Sequence, residues 1–124
     1  MSQEQSTAPL RILYVEDDDL VREITCDLLS CELREVVAVA TGEEALSTFQ
    51  ESRFDILVTD VSLPAMSGTE LVRRVKGIAP EVPVILASGY RLELDDLRLG
   101  PNVRTIVNPF DAPQIDALIR TLCV

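Results

Sequence analysis

The sequence predicts a doubly wound α/β domain, with five parallel strands forming one sheet and helices on both faces. Three observations carry that prediction. Short apolar runs alternate five times with segments whose apolar residues recur at helical spacing. The run Ile56-Leu57-Val58 is apolar without a break, as a central parallel strand covered on both faces must be. The runs end on polar residues followed by turn chemistry, the position at which open α/β sheets place their ligand sites. At 124 residues the chain is long enough for one domain with a real core. Residues 1–9 read as a polar N-terminal tail and 10–124 as the domain, with no repeat, linker or low-complexity segment.

The elements follow in order. Arg11 to Val15 is the first strand, and Glu16-Asp17-Asp18-Asp19 leads directly into a helix whose Leu20, Val21, Ile24, Leu28 and Cys31 should face inward. Asp18 and Asp19 read as exposed first-turn residues that suit the helix dipole. Val36 to Ala40 is the second strand. Thr41 with Glu44 resembles a capping box, and Ala45, Leu46 and Phe49 form the inward face of the second helix. The third strand ends at Asp60; Pro64 and Ser67-Gly68 then mark a turn. Glu70 to Ile78 is a helix with Leu71, Val72, Val75 and Ile78 on one face, stopped by Pro80. Val82 to Ala87 is the fourth strand, ending at Ser88-Gly89, and Leu92 to Leu99 a weaker acidic helix closed by Gly100-Pro101. Val103 to Val107 is the fifth strand, ending in Asn108-Pro109. Pro113 stands near the start of the last helix, where a missing N–H costs little, and Ile115, Leu118, Ile119 and Leu122 form its stripe.

Composition narrows the function. A net charge of -10 argues against a nucleic-acid surface on this domain, because phosphate contacts need Lys and Arg. It suits a cation or a basic protein partner. Cys26, Cys31 and Cys123 are odd in number and lack metal-ligand spacing, so reduced thiols in a cytoplasm are expected. No run is long enough to span a membrane and no signal-peptide pattern opens the chain. The absence of histidine excludes His acid–base catalysis, His metal ligands and a phosphohistidine of the chain's own.

The polar residues of interest converge at one sheet edge. Glu16 and Asp17 follow the first strand, Asp60 ends the third, Ser88 the fourth and Asn108 the fifth. If the first and third strands are neighbours at the switch point, three carboxylates crowd one cleft. Like charges so placed raise one another's pKa unless a cation lies among them, and an all-oxygen site suits Mg²⁺.

The acidic pair in YVEDD, the strand-end Asp in VTDVSLPAMSG, the hydroxyl residue in ILASG and the NPF that stands for a more usual Lys-Pro-Phe resemble the receiver domain of two-component response regulators. The resemblance covers about Leu10 to Val124. It implies a flavodoxin-like sheet of order 2-1-3-4-5, and phosphorylation of Asp60 by a histidine kinase or histidine phosphotransfer protein. It implies Mg²⁺ held by Glu16, Asp17, Asp60 and the backbone carbonyl of Ser62, and Ser88 as the hydroxyl that turns toward the phosphoryl group. The Asn108-Pro109 bond should be cis. Such a domain is not an enzyme beyond catalysing its own phosphorylation and dephosphorylation. It switches a face that acts on a downstream protein target, contacts no nucleic acid or membrane directly, and admits a homodimer. Two positions depart from the family: Asn108 replaces a nearly universal lysine, and Thr105 stands where many members carry an aromatic switch residue. Two alternatives stay open. One is a pseudo-receiver that binds protein without phosphate. The other is an aspartate-nucleophile phosphatase of the haloacid dehalogenase type, whose DxD motif EDDD matches poorly.

Overall fold

The computed structural model describes residues 9–92 and 98–123. Five strands form one parallel sheet: β1 (Leu10–Val15), β2 (Arg34–Val39), β3 (Ile56–Asp60), β4 (Val84–Ser88) and β5 (Val103–Val107), in the order β2-β1-β3-β4-β5. Among the described residues four helices pack on it: α1 (Asp19–Leu29), α2 (Gly42–Glu51), α3 (Gly68–Ile78) and α4 (Ala112–Leu122). The expected acidic helix from Leu92 to Leu99 falls largely on 93–97, outside the described residues. Its last residue, Leu99, is buried in the core.

The sheet's pleat explains why both faces are apolar. Alternate residues of each strand point to opposite sides. Leu13 and Val15 of β1, Leu57 of β3 and Val84 and Leu86 of β4 pack with Ala45 and Phe49 of α2 and Leu71, Val72 and Val75 of α3. Ile12 and Tyr14, Ile56 and Val58, and Ile85 and Ala87 face the other way, onto Leu29 of α1 and Ile115 and Ile119 of α4. The expected strands thus form in the expected order, with ends displaced by up to two residues.

Local chemistry sets the helix ends. Asp18, Thr41, Ser67 and Asp111 each accept a backbone N–H of the first turn. The expected box at Thr41 is displaced by one residue, because Glu44 accepts the N–H of Ala40. A full capping box instead joins Asp111 to Gln114, with Pro113 in the first turn of α4.

Two inward faces differ from expectation. In α1 the fully buried residue is Leu29; Leu20 is 65% and Ile24 57% exposed, and Val21 and Cys31 are also exposed. Periodicity identifies residues that share a face, but α1 lies so that Val21 and Ile24 line the cleft above the strand ends. In α3 the buried set stops at Val75, and Ile78 is exposed at the last turn.

At the opposite end of the sheet, Lys76 near the C-terminus of α3 donates to the carbonyls of Val82 (2.7 Å), Pro80 and Pro101. It ties α3 to the segments entering β4 and β5.

Glycines in α3 have opposite roles. A Cβ on Gly68 would lie 2.1 Å from the Asp60 carbonyl oxygen, whereas one on Gly77 meets nothing within 4 Å. Gly68→Ala should therefore destabilise the fold by about 2–3 kcal/mol through forced backbone movement. Gly77→Ala should stabilise it by about 0.5–1 kcal/mol through helix propensity. Urea unfolding of both variants measures the contrast; equal effects would show that α3 does not press on the end of β3.

Candidate functional site

The ladder holds the site residues beyond the strands themselves. Glu16 N–H donates to the Val39 carbonyl (3.1 Å), Val61 N–H to Ala87 (2.9 Å) and Asn108 N–H to Ser88 (2.7 Å). Each polar side chain thus leaves a fixed backbone at the C-terminal edge. Because β1 pairs with β3, with Val15 opposite Thr59, the residues following them are neighbours. Ligand oxygens of Glu16, Asp17 and Asp60 all lie within 4.8 Å of one another.

Glu16 is buried, Asp60 half-buried and Asp17 exposed. The Glu16 carboxylate accepts the Asp18 N–H (3.0 Å), and Arg22 donates to the Glu16 carbonyl (2.9 Å) while paired with Asp19. Burial, then the charges of Asp60 and Asp17, push the Glu16 carboxyl up to about 7, against the opposing Asp18 amide. Burial and the charge of Asp17 likewise raise Asp60, opposed by the Val61 amide. The Tyr14 hydroxyl beneath α1 is pushed up to about 12, chiefly by burial. Burial is the larger cause in each case, with neighbouring carboxylate charge adding to it. A hard divalent cation fits the donor set: three carboxylates converge and no nitrogen or sulfur ligand is among them.

The remaining expected residues divide. Asn108 reaches the cleft, its amide donating to Asp60 Oδ1 at 3.4 Å, and Asn108-Pro109 is cis. Ser88 is buried one position beyond Ala87, the register partner of Asp60, and its hydroxyl accepts the Tyr90 N–H (3.2 Å). Thr105 is half-buried in β5 opposite Leu86, and Ser62 is exposed in the loop after Asp60. Asp18 and Asp19 are exposed, Asp18 as the cap of α1.

Three contributors escape a sequence reading. Buried Thr59 donates to the Asp60 carbonyl (3.0 Å), Arg22 fixes the Glu16 carbonyl, and Gly68 allows the N-terminus of α3 to approach β3, its N–H donating to Val61 (2.8 Å). Only Gly68 left a signal, a glycine directly after a capping serine.

A groove of about 450 Å³ opens on this cleft. Glu16, Asp60 and Asn108 lie at its polar end, and Val21, Ile24, Leu28 and Phe110 along its walls.

A doubly wound sheet with a carboxylate cluster at its switch point has the architecture of a ligand-binding α/β domain. The chain belongs to the response regulator receiver domain family, which it matches over residues 12–119, and so to two-component signalling. It is 36% identical to the transcriptional regulatory protein CseB of Streptomyces coelicolor over 90% of this chain and 48% of that protein. It is 33% identical to the 3',5'-cyclic-nucleotide phosphodiesterase regA of Dictyostelium discoideum over 98% of this chain and 17% of that protein. Thus the chain spans about half, or less, of the length of these curated relatives. Among solved structures, the receiver domain of the hybrid histidine kinase CckA superposes with a TM-score of 0.78 at 31% identity, covering 92% of this chain and 99% of that one. The chemotaxis protein CheY4 of Vibrio cholerae gives 0.83 at 25% identity, covering 93% and 99%. Because relatives include transcriptional regulators, the expectation of no nucleic-acid partner is unsupported beyond the acidity of this domain. Among the described residues no helix is long and apolar enough to cross a membrane.

The pH dependence of the metal-free protein follows from Glu16. Its folded value of about 7 lies above its ordinary 4.5, so the fold binds the proton more tightly than the unfolded chain. Stability should therefore fall as pH rises from 4.5 to about 7 and level off above. After screening by water the contribution should be on the order of 1–2 kcal/mol. Glu16→Gln should flatten this part of the urea-midpoint profile; an unchanged slope would mean that Glu16 titrates normally.

Proposed function

We propose that the domain accepts a phosphoryl group on Asp60 and relays it as a change in a protein-binding face. The observation that carries this reading is the convergence of Glu16, Asp17 and Asp60 within 4.8 Å at the switch point. An Asp60 carboxylate oxygen forms the new P–O bond as the P–N bond of a phosphohistidine, protonated on its other ring nitrogen, breaks, leaving an acyl phosphate and neutral imidazole. Glu16, Asp17, Asp60 and the Ser62 carbonyl would hold Mg²⁺, which when bound supplies charge neutralisation for phosphoryl transfer. A receiver domain from the sensor histidine kinase PA1611 of Pseudomonas aeruginosa, 24% identical, is described with magnesium in its active site cleft, which supports the reading by analogy.

This chain's own groups have distinct tasks. Glu16 is fixed by the Asp18 amide, and Thr59 and Gly68 fix the backbone of Asp60. Asn108 already touches Asp60 and would donate to the phosphoryl oxygens. Ser88 would exchange the Tyr90 N–H for the same group, and Thr105, opposite Leu86 on β5, would follow as the switch position. A histidine kinase or phosphotransfer protein would dock on the exposed stripe of α1. The output would reach a downstream protein or a further domain.

Incubation with acetyl phosphate and Mg²⁺ should add one phosphoryl mass, abolished in Asp60→Asn. Asp17→Asn should lower the rate at least tenfold, the scale of a lost charged ligand. Asn108→Lys should strengthen the conformational response to beryllofluoride severalfold, because a charge-assisted bond is about twice as strong as a neutral one. An absent mass shift together with retained partner binding would favour the pseudo-receiver.

A further inference from the structure

The groove beside α1 has an unusual division of character. Its lining includes the exposed apolar side chains of Val21 and Ile24 with Phe110, and, more deeply set, the buried Glu16 with the half-buried Asp60 and Asn108. No lysine or arginine lines it among the described residues. Neither Arg22 nor Lys76 supplies a charge to it. Arg22 is held by Asp19 and the Glu16 carbonyl. Lys76, the chain's only lysine, is held by carbonyls at the far end of the sheet.

The charge balance of the cleft makes this absence consequential. Glu16 and Asp17 carry two charges when ionised, and a phosphoryl group on Asp60 adds close to two more. A divalent cation offsets about half of that, leaving a deficit of about two positive charges in a partly desolvated cleft. The groove leads from solvent to that deficit. Its volume, about 450 Å³, lies in the range of ligand sites, roughly 300–1,000 Å³. Apolar walls with an anionic end suit an alkyl stem that carries a cation at its tip. A compact ammonium suits this end better than a guanidinium fork. The carboxylates converge from three residues, and that of Glu16 already accepts the Asp18 N–H.

We propose that the groove between α1 and the Asn108–Phe110 segment receives a lysine side chain of the docking protein, whose ammonium reaches Asp60 beside Asn108. The proposal rests on the phosphoacceptor reading for its purpose, but not for its binding geometry. The partner would thereby complete the charge of the cleft in trans and accelerate transfer only while docked.

The experiment uses the full chain with n-butylammonium chloride as the stand-in for the lysine side chain. Tetramethylammonium and n-butanol serve as controls at matched ionic strength. n-Butylammonium should shift the methyl resonances of Val21 and Ile24 and the Asn108 amide saturably. In the presence of Mg²⁺ it should raise the rate of Asp60 phosphorylation by acetyl phosphate about fivefold, as one added charge-assisted contact predicts. Nα-acetyl-lysinamide should reproduce the shifts, and its Nε-acetylated form should not. Asn108→Lys, which brings an ammonium to the same end in cis, should abolish both responses.

Equal effects from tetramethylammonium or butanol would overturn the proposal, as would absent shifts or a response that persists in Asn108→Lys. Saturable shifts in a protein that takes no phosphoryl group would uphold the lysine groove and remove the phosphoacceptor reading. Phosphorylation at an unaltered rate without shifts would do the reverse.

Discussion

The adjacency of β1 and β3 is the constraint on which the site depends. The chain winds outward to β2 at one edge, then returns past β1 to lay β3 along its other side. Residues 44 positions apart, Glu16 and Asp60, thereby leave neighbouring strand ends. Nothing local would hold three carboxylates together, since their mutual repulsion favours separation. The opposing force is the apolar burial of Ile12 to Val15 and Ile56 to Val58 on both faces of the sheet. The core fixes the backbones, and the backbones fix the charges. The raised Glu16 and Asp60 carboxyls express that opposition as a readiness to bind protons or a cation.

Much of this was legible in the sequence. The apolar runs and strand-end polar residues were readable because a parallel strand buried on both sides has no polar alternation, so its end is abrupt. Glu16, Asp17, Asp60 and Asn108 could be placed at one edge for that reason. Strand order was not readable from periodicity and entered through resemblance to a family. The inward face of α1 is legible at Leu28, which packs on the core, but not at Leu20, Val21 and Ile24, whose core-like spacing is silent about what covers them. Thr59, Arg22 and Gly68 were missed because their roles exist only through contacts with distant backbone carbonyls.

The α1 discrepancy has functional meaning. Local pattern and tertiary placement usually agree in natural domains, and disagreement concentrates at working surfaces. Here an apolar stripe that could have been buried is left beside the acidic cleft. A protein that covers this stripe would exclude water from the same cleft and strengthen every charge interaction within it. Under the proposed phosphoacceptor reading, docking and chemistry would be coupled through shared desolvation. The half-length match to larger regulators is compatible with an output located elsewhere in a longer chain.

The position of Lys76 has a practical consequence. Its ammonium is held by carbonyls from the α3–β4 connection and from Pro101, and burial lowers its pKa. Acylation of this amine must therefore displace its carbonyl partners, although the lowered pKa favours the reactive neutral form. When α3 or the approach to β5 lifts away, the amine becomes available to acylating reagents. Apart from the α-amine, the chain has no other amine to confuse the signal. Amine labelling is thus a single-site clock for local opening at the end farthest from Asp60, readable by mass without an engineered probe.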